Sequence, residues 1–147
     1  MAVINTVFVP VDFSSNTGKV VDYAMSVADQ LGAKVLFFHV VNNFKGYDMM
    51  LVHPSFINLT KDLEHQAGER MTNLISDYKD RKNGVGGNVI LGDVAEEILN
   101  YAAQEKADVT IIGTHGTKGL EKILMGSTAD QVIKKAACPV LLFNPFK

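Results

Sequence analysis

Asp108-Val109-Thr110-Ile111-Ile112-Gly113-Thr114-His115-Gly116 sets a buried run directly against a glycine-bounded loop. Residues 108–112 form a short apolar run rich in β-branched side chains, the pattern of a strand buried on both faces. The run enters Gly113 directly. After Gly116 and nine intervening residues come Gly126-Ser127-Thr128, and apolar residues Ala129, Val132, Ile133 and Ala136 then follow at helical spacing. A glycine-bounded loop therefore links a buried strand to a helix start. Glycine lets a ligand approach the main chain closely. A helix N-terminus offers unpaired N–H groups and partial positive charge, both suited to phosphate. The Ser127 and Thr128 hydroxyls are placed either to donate to phosphate oxygens or to cap the helix.

Outward from this loop, strands and helices alternate. Residues 6–11 (TVFVPV) and 34–41 (KVLFFHVV) read as buried strands. Between them Val20, Val21, Ala24, Met25, Val27, Ala28 and Leu31 mark a helix that Gly32 ends. After a long connection at residues 42–55, Leu59, Leu63, Ala67, Met71, Leu74 and Tyr78 mark a second helix, expected to end at Asn83-Gly84. Gly84-Val85-Gly86-Gly87 is expected to be a turn, with a short strand at 88–91. Asp93 and Glu96 resemble a capping box for a third helix that buries Ile98, Leu99 and Ala102. A fifth strand, 139–143 (PVLLF), closes the series. Five strands separated by helices imply an open α/β parallel sheet with helices on both faces. Ligands of such sheets bind beyond the strands' carboxyl ends, where strand order reverses. Asp12 and Gly113 meet there if the first and fourth strands are neighbours.

The composition fits one domain of 147 residues, 47% hydrophobic, with a core that needs no disulfide or metal. The single cysteine, Cys138, suits a reducing compartment and excludes a cysteine-rich zinc module. A net charge of -2 without a basic run gives no electrostatic reason for a nucleic-acid partner. No apolar run approaches the roughly 20 residues of a membrane helix, and the N-terminus lacks the basic flank of a signal peptide. A cytoplasmic location with no membrane partner is expected. There is no G-x-x-x-x-G-K-[ST] P-loop and no nucleophile elbow, and the Gly84–Gly87 cluster precedes a strand instead of following one, the wrong order for a dinucleotide fingerprint.

Gly113-x2-Gly116-x9-Gly126-Ser127 resembles the glycine motif of the ATP-binding universal stress proteins. Val9-Pro10-Val11-Asp12-Phe13-Ser14 is similar to that family's first strand and turn. His39-Val40 resembles its second strand end, and Ala137-Cys138-Pro139-Val140-Leu141 its closing strand. The resemblance covers essentially the whole chain, 1–147. It implies a Rossmann-like sheet of the adenine nucleotide alpha hydrolase type, in the order 3-2-1-4-5. It implies contact of Asp12 and Gly113 with the ribose, and of Pro10, Val11 and Val40 with adenine. Gly116, Gly126, Ser127 and Thr128 would hold the phosphates. The implied ligand is ATP, or ADP or AMP, with Mg or Mn bridging the phosphates, and family members commonly pair as homodimers through the last strand. Exposure of the hydrophobic 139–143 edge agrees with such pairing.

Other residues admit two readings. Asp12 serves either the ribose or a helix cap. His39, in an apolar strand, reads as a core histidine satisfied by a hydrogen bond. His115 reads as a solvated loop residue, and Lys118 and Lys122 as either solvated charges or phosphate contacts. Cys138 reads as a small buried residue before a strand. Met49, Met50 and Leu51 are placed to cover the nucleotide, join a dimer contact or pack locally. The two arginines, Arg70 and Arg81, are expected on the second helix, and the loop shows neither a general base nor an arginine finger. These features point to a nucleotide-binding stress-response or signalling protein. Slow ATP hydrolysis or phosphoryl transfer, and a nucleotide-independent interaction module, are the alternatives.

Overall fold

A computed structural model describes residues 3–43, 54–114 and 126–146. Five parallel strands run in the order β3-β2-β1-β4-β5, with β1 at Thr6–Pro10, β2 at Lys34–Asn42, β3 at Val85–Gly92, β4 at Val109–Gly113 and β5 at Val140–Phe143. The helices among the described residues are α1 (Thr17–Leu31), α2 (Pro54–Asp77), α3 (Val94–Gln104) and α4 (Ser127–Lys135). The first and fourth strands are neighbours, so strand order reverses between them.

Alternation of side chains along the strands sends apolar groups to both faces of the sheet. Val7, Val9, Val35, Phe37 and Ile111 face one way, where they meet Val20, Ala24 and Ala28 of α1 and Met71 of α2. Phe8, Leu36, Phe38 and Ile112 face the other way, toward Ile98 of α3 and Val132 of α4. Each fully buried Phe or Val contributes about 1.5–3 kcal/mol through removal of apolar surface from water. The Phe38 ring stacks on Tyr101 of α3 at 4.2 Å, which ties β2 to the helix below it.

Helix ends follow the local chemistry. Gly32 closes α1 in the left-handed conformation, φ 66°, with its N–H on the Ala28 and Asp29 carbonyls. Asp93 caps α3, its Oδ1 accepting from the Glu96 amide at 3.0 Å. Asp108, just ahead of β4, accepts from the Asn5 and Thr6 amides at 2.8 and 2.9 Å, which aligns the starts of β1 and β4.

Several boundaries differ from the sequence reading. Val85, Gly86 and Gly87 are not a turn; they are the first residues of β3 and pair with Val35, Leu36 and Phe37. A Cβ on Gly87 would lie 2.7 Å from Met71 Sδ and 3.1 Å from both Ile75 Cδ1 and the Phe37 carbonyl. Glycine there lets α2 press against the sheet, which composition alone reads as a turn. The helix α2 stops at Asp77, so Arg70 lies on it and Arg81 beyond it. Arg81 serves the turn instead, donating to the Gly84 carbonyl at 2.7 Å and pairing with Asp29 at 3.0 Å.

Candidate functional site

The carboxyl ends of β1, β2 and β4 open into a cleft of about 920 Å³. Pro10, Val11 and Asp12 reach it from the end of β1, Val40 from β2 and Gly113 from β4. Gly126, Ser127 and Thr128 reach it from the start of α4. The structure thus brings into one cleft each described residue that the sequence assigned to nucleotide contact, and leaves Cys138 and Arg81 outside it. Gly116, His115, Lys118, Lys122, Met49, Met50 and Leu51 lie outside the described residues.

Two chemical halves make up the cleft. Val11, Val40, Phe38 and Ile112 supply a buried apolar floor, with Val40 only 7% exposed. Such a floor accommodates a flat heteroaromatic ring. The opposite half is the N-terminus of α4. Gly126 occupies the N-cap position in extended conformation and, as glycine, brings no side chain of its own to cap the helix. Ser127 is therefore the first helical residue and not the cap, because the chain enters the helix one residue earlier than a serine cap requires. Its hydroxyl and the first-turn amides stand at the positive end of the helix dipole, beside the cleft.

The carboxylate of Asp12 is oriented by its own turn. Its Oδ1 accepts from the Ser14 amide at 2.9 Å and from the Thr17 hydroxyl at 3.2 Å. Asp12 is not the cap of α1, a position that Asn16 holds; it ties the chain to the first residue of α1 through the Thr17 hydroxyl while it lines the cleft. His39 is a satisfied histidine, as its setting implied. Its Nδ1 donates to the Val11 carbonyl at 2.7 Å, and burial holds its imidazole below the usual histidine range. The half-buried Cys138 precedes β5, its sulfur 3.3 Å from the Thr110 hydroxyl.

Sequence reasoning missed one wall of the cleft. Leu63, Gln66, Ala67 and Arg70 of α2 line it together with Phe13. The signal was available, since these α2 positions share one helix face by their i, i+3, i+4, i+7 spacing. Among the described residues there is no cluster of three or more His, Cys, Asp or Glu side chains able to hold a metal.

The sequence model of the universal stress protein family matches residues 4–144. The chain belongs to the universal stress protein family. A curated universal stress protein of Methanocaldococcus jannaschii, MJ0531, is 30% identical over 92% of this chain and 79% of its own length. The solved structure of MJ0577 superimposes with a TM-score of 0.85 at 26% identity, covering 97% of each chain. Two more distant universal stress protein structures share the fold. One, from Archaeoglobus fulgidus, is in complex with dAMP (TM-score 0.59, 23% identical, 96% of this chain and 98% of that one). The other is in complex with cAMP (TM-score 0.61, 19% identical, 98% and 99%). Family membership agrees with the observed sheet order and with the position of the glycine motif at the β4–α4 junction. No helix among the described residues is long and apolar enough to cross a membrane.

Proposed function

We propose that this universal stress protein, one domain over residues 1–147, binds an adenine nucleotide in the cleft and acts as a stress-response or signalling protein. The expected ligand is ATP, or ADP or AMP, with Mg or Mn bridging the phosphates. The observation that carries the reading is the meeting of Asp12, Gly113 and the glycine-led start of α4 in one cleft at the β1/β4 reversal. Pro10, Val11 and Val40 would pack on adenine, and Asp12 and Gly113 would meet the ribose. Gly116, Gly126, Ser127 and Thr128 would hold the phosphates. The dAMP and cAMP bound by its distant relatives support the class of ligand.

Binding rather than turnover is the expected output. Arg70 lines the cleft, with one guanidinium N–H donating to the Phe13 carbonyl at 3.4 Å, and the sequence of the glycine loop shows no general base to orient a nucleophile. Phosphoryl transfer needs a cation on the developing charge and a group that orients the nucleophile. The protein is proposed to be cytoplasmic and to pair through β5, an edge strand whose Leu142 is 40% exposed and whose neighbour Phe146 is 39% exposed.

Calorimetry with Mg-ATP tests the binding. Saturation at 100 times the dissociation constant should stabilise the fold by about 2.7 kcal/mol. Absence of both heat and thermal stabilisation at millimolar nucleotide would sink the reading.

A further inference from the structure

Asp12 is held from both sides by residues outside its own strand. One residue before it, the Val11 carbonyl accepts from His39 Nδ1 at 2.7 Å. A carbonyl only accepts, so Nδ1 carries the ring proton. One residue after it, Phe13 stands at φ 56°, a left-handed conformation rare for a bulky side chain. The surroundings enforce that conformation. The Phe13 ring lies 4.8 Å from the His39 ring, tilted by 49°, and the Phe13 carbonyl accepts from Arg70 of α2 at 3.4 Å. The turn at Phe13 brings the Ser14 amide and the Thr17 hydroxyl onto Asp12 Oδ1. With Oδ1 so engaged, Oδ2 is left as the acceptor for a ligand hydroxyl.

We infer that His39 and Arg70 are positioning residues for Asp12. They lock the Val11–Phe13 turn so that the carboxylate meets the ribose hydroxyls, and they couple α2 to the sugar subsite through the backbone of Phe13. The inference rests on the nucleotide reading above. It goes beyond the glycine motif, because neither residue belongs to the loop or to the start of α4.

The distinguishing probe is the sugar. Mg-ATP and Mg-2′,3′-dideoxy-ATP are titrated calorimetrically into the full chain and its Arg70→Met, Arg70→Lys, His39→Leu, His39→Asn and Asp12→Ala variants. Wild type should prefer ATP. Arg70→Met and His39→Leu should each weaken ATP about five- to tenfold while changing dideoxy-ATP by less than about twofold. Arg70→Lys and His39→Asn, which keep a donor, should recover most of the loss, and Arg70→Met should add little to Asp12→Ala. Arg70 is exposed, so its variants carry the test if His39→Leu does not fold. Equal losses for both nucleotides would mean that Arg70 and His39 act on phosphate or on general rigidity, and would overturn the inference. So would wild-type affinities in both variants while wild type still prefers ATP. A wild-type chain that binds neither nucleotide overturns the nucleotide reading itself, and the inference with it.

Discussion

The amide of Gly126 donates to the carbonyl of Thr114 across 2.6 Å. This bond joins the exit of β4 to the entry of α4 beside the cleft. It also locates the need for glycine. Gly126 has φ -72°, which any residue adopts, but a Cβ there would sit 3.2 Å from the Thr114 carbonyl.

Gly126→Val should therefore spread the β4–α4 junction and misalign the first amides of α4. The expected result is a Mg-ATP dissociation constant raised at least about tenfold, with the circular dichroism of the fold preserved. Wild-type affinity in this variant would show that the junction does not organise the phosphate site.

His39 makes stability depend on pH. Burial lowers its pKa from the usual 6.5, against the raising effects of the Val11 hydrogen bond and the Asp12 charge, with the Arg70 charge also lowering it. Well above pH 6.5 both folded and unfolded states are neutral at this position. Below it the unfolded chain takes up a proton that the folded chain refuses, so stability falls until the pH passes the folded value. Urea titrations between about pH 5 and 8 should show wild type losing stability on acidification more steeply than His39→Gln. Parallel curves would assign the acid sensitivity elsewhere.

Asp108 aligns the opposite end of the sheet. Removing the acceptor of the Asn5 and Thr6 amides in Asp108→Ala should cost about 1–3 kcal/mol in chemical denaturation. Because the strand starts lie away from the cleft at the carboxyl ends, nucleotide affinity should remain that of wild type. A large loss of affinity at unchanged stability would contradict this division of labour.

At Gly87 the constraint is packing. A methyl group in Gly87→Ala meets Met71 and Ile75 of α2 and the Phe37 carbonyl at contact distances too short to absorb without movement. A loss of about 1–3 kcal/mol is expected, measured as a lower denaturation midpoint. An unchanged midpoint would show that α2 shifts freely on the sheet.

Elements with strong local signals were legible in the sequence. The β-branched runs of β1, β2 and β4, the Gly32 stop and the Asp93 cap all appear where residue chemistry places them. The start of β3 was not legible, since Gly86 and Gly87 have turn-like composition and are extended only because β2 and α2 lie against them. Ser127 was legible as a helix-start residue but not as N1 rather than N-cap, because one residue of register is set by how the chain leaves Gly126.

Residue order along the chain was enough for the alternating α/β pattern, the glycine loop between a buried strand and a helix, and the resemblance to the family. These depend on local periodicity and on spacing along the chain, which need no partner to be read. Tertiary structure alone decided that Asp12, Val40 and the start of α4 share one cleft, because strand order brings distant segments together. It also decided the role of Arg70, a helix-face residue that meets Phe13 only when α2 packs beside β2. In the glycine loop, then, chemistry was written locally at Gly126 and Ser127, while the geometry that makes it a site came from contacts across the sheet.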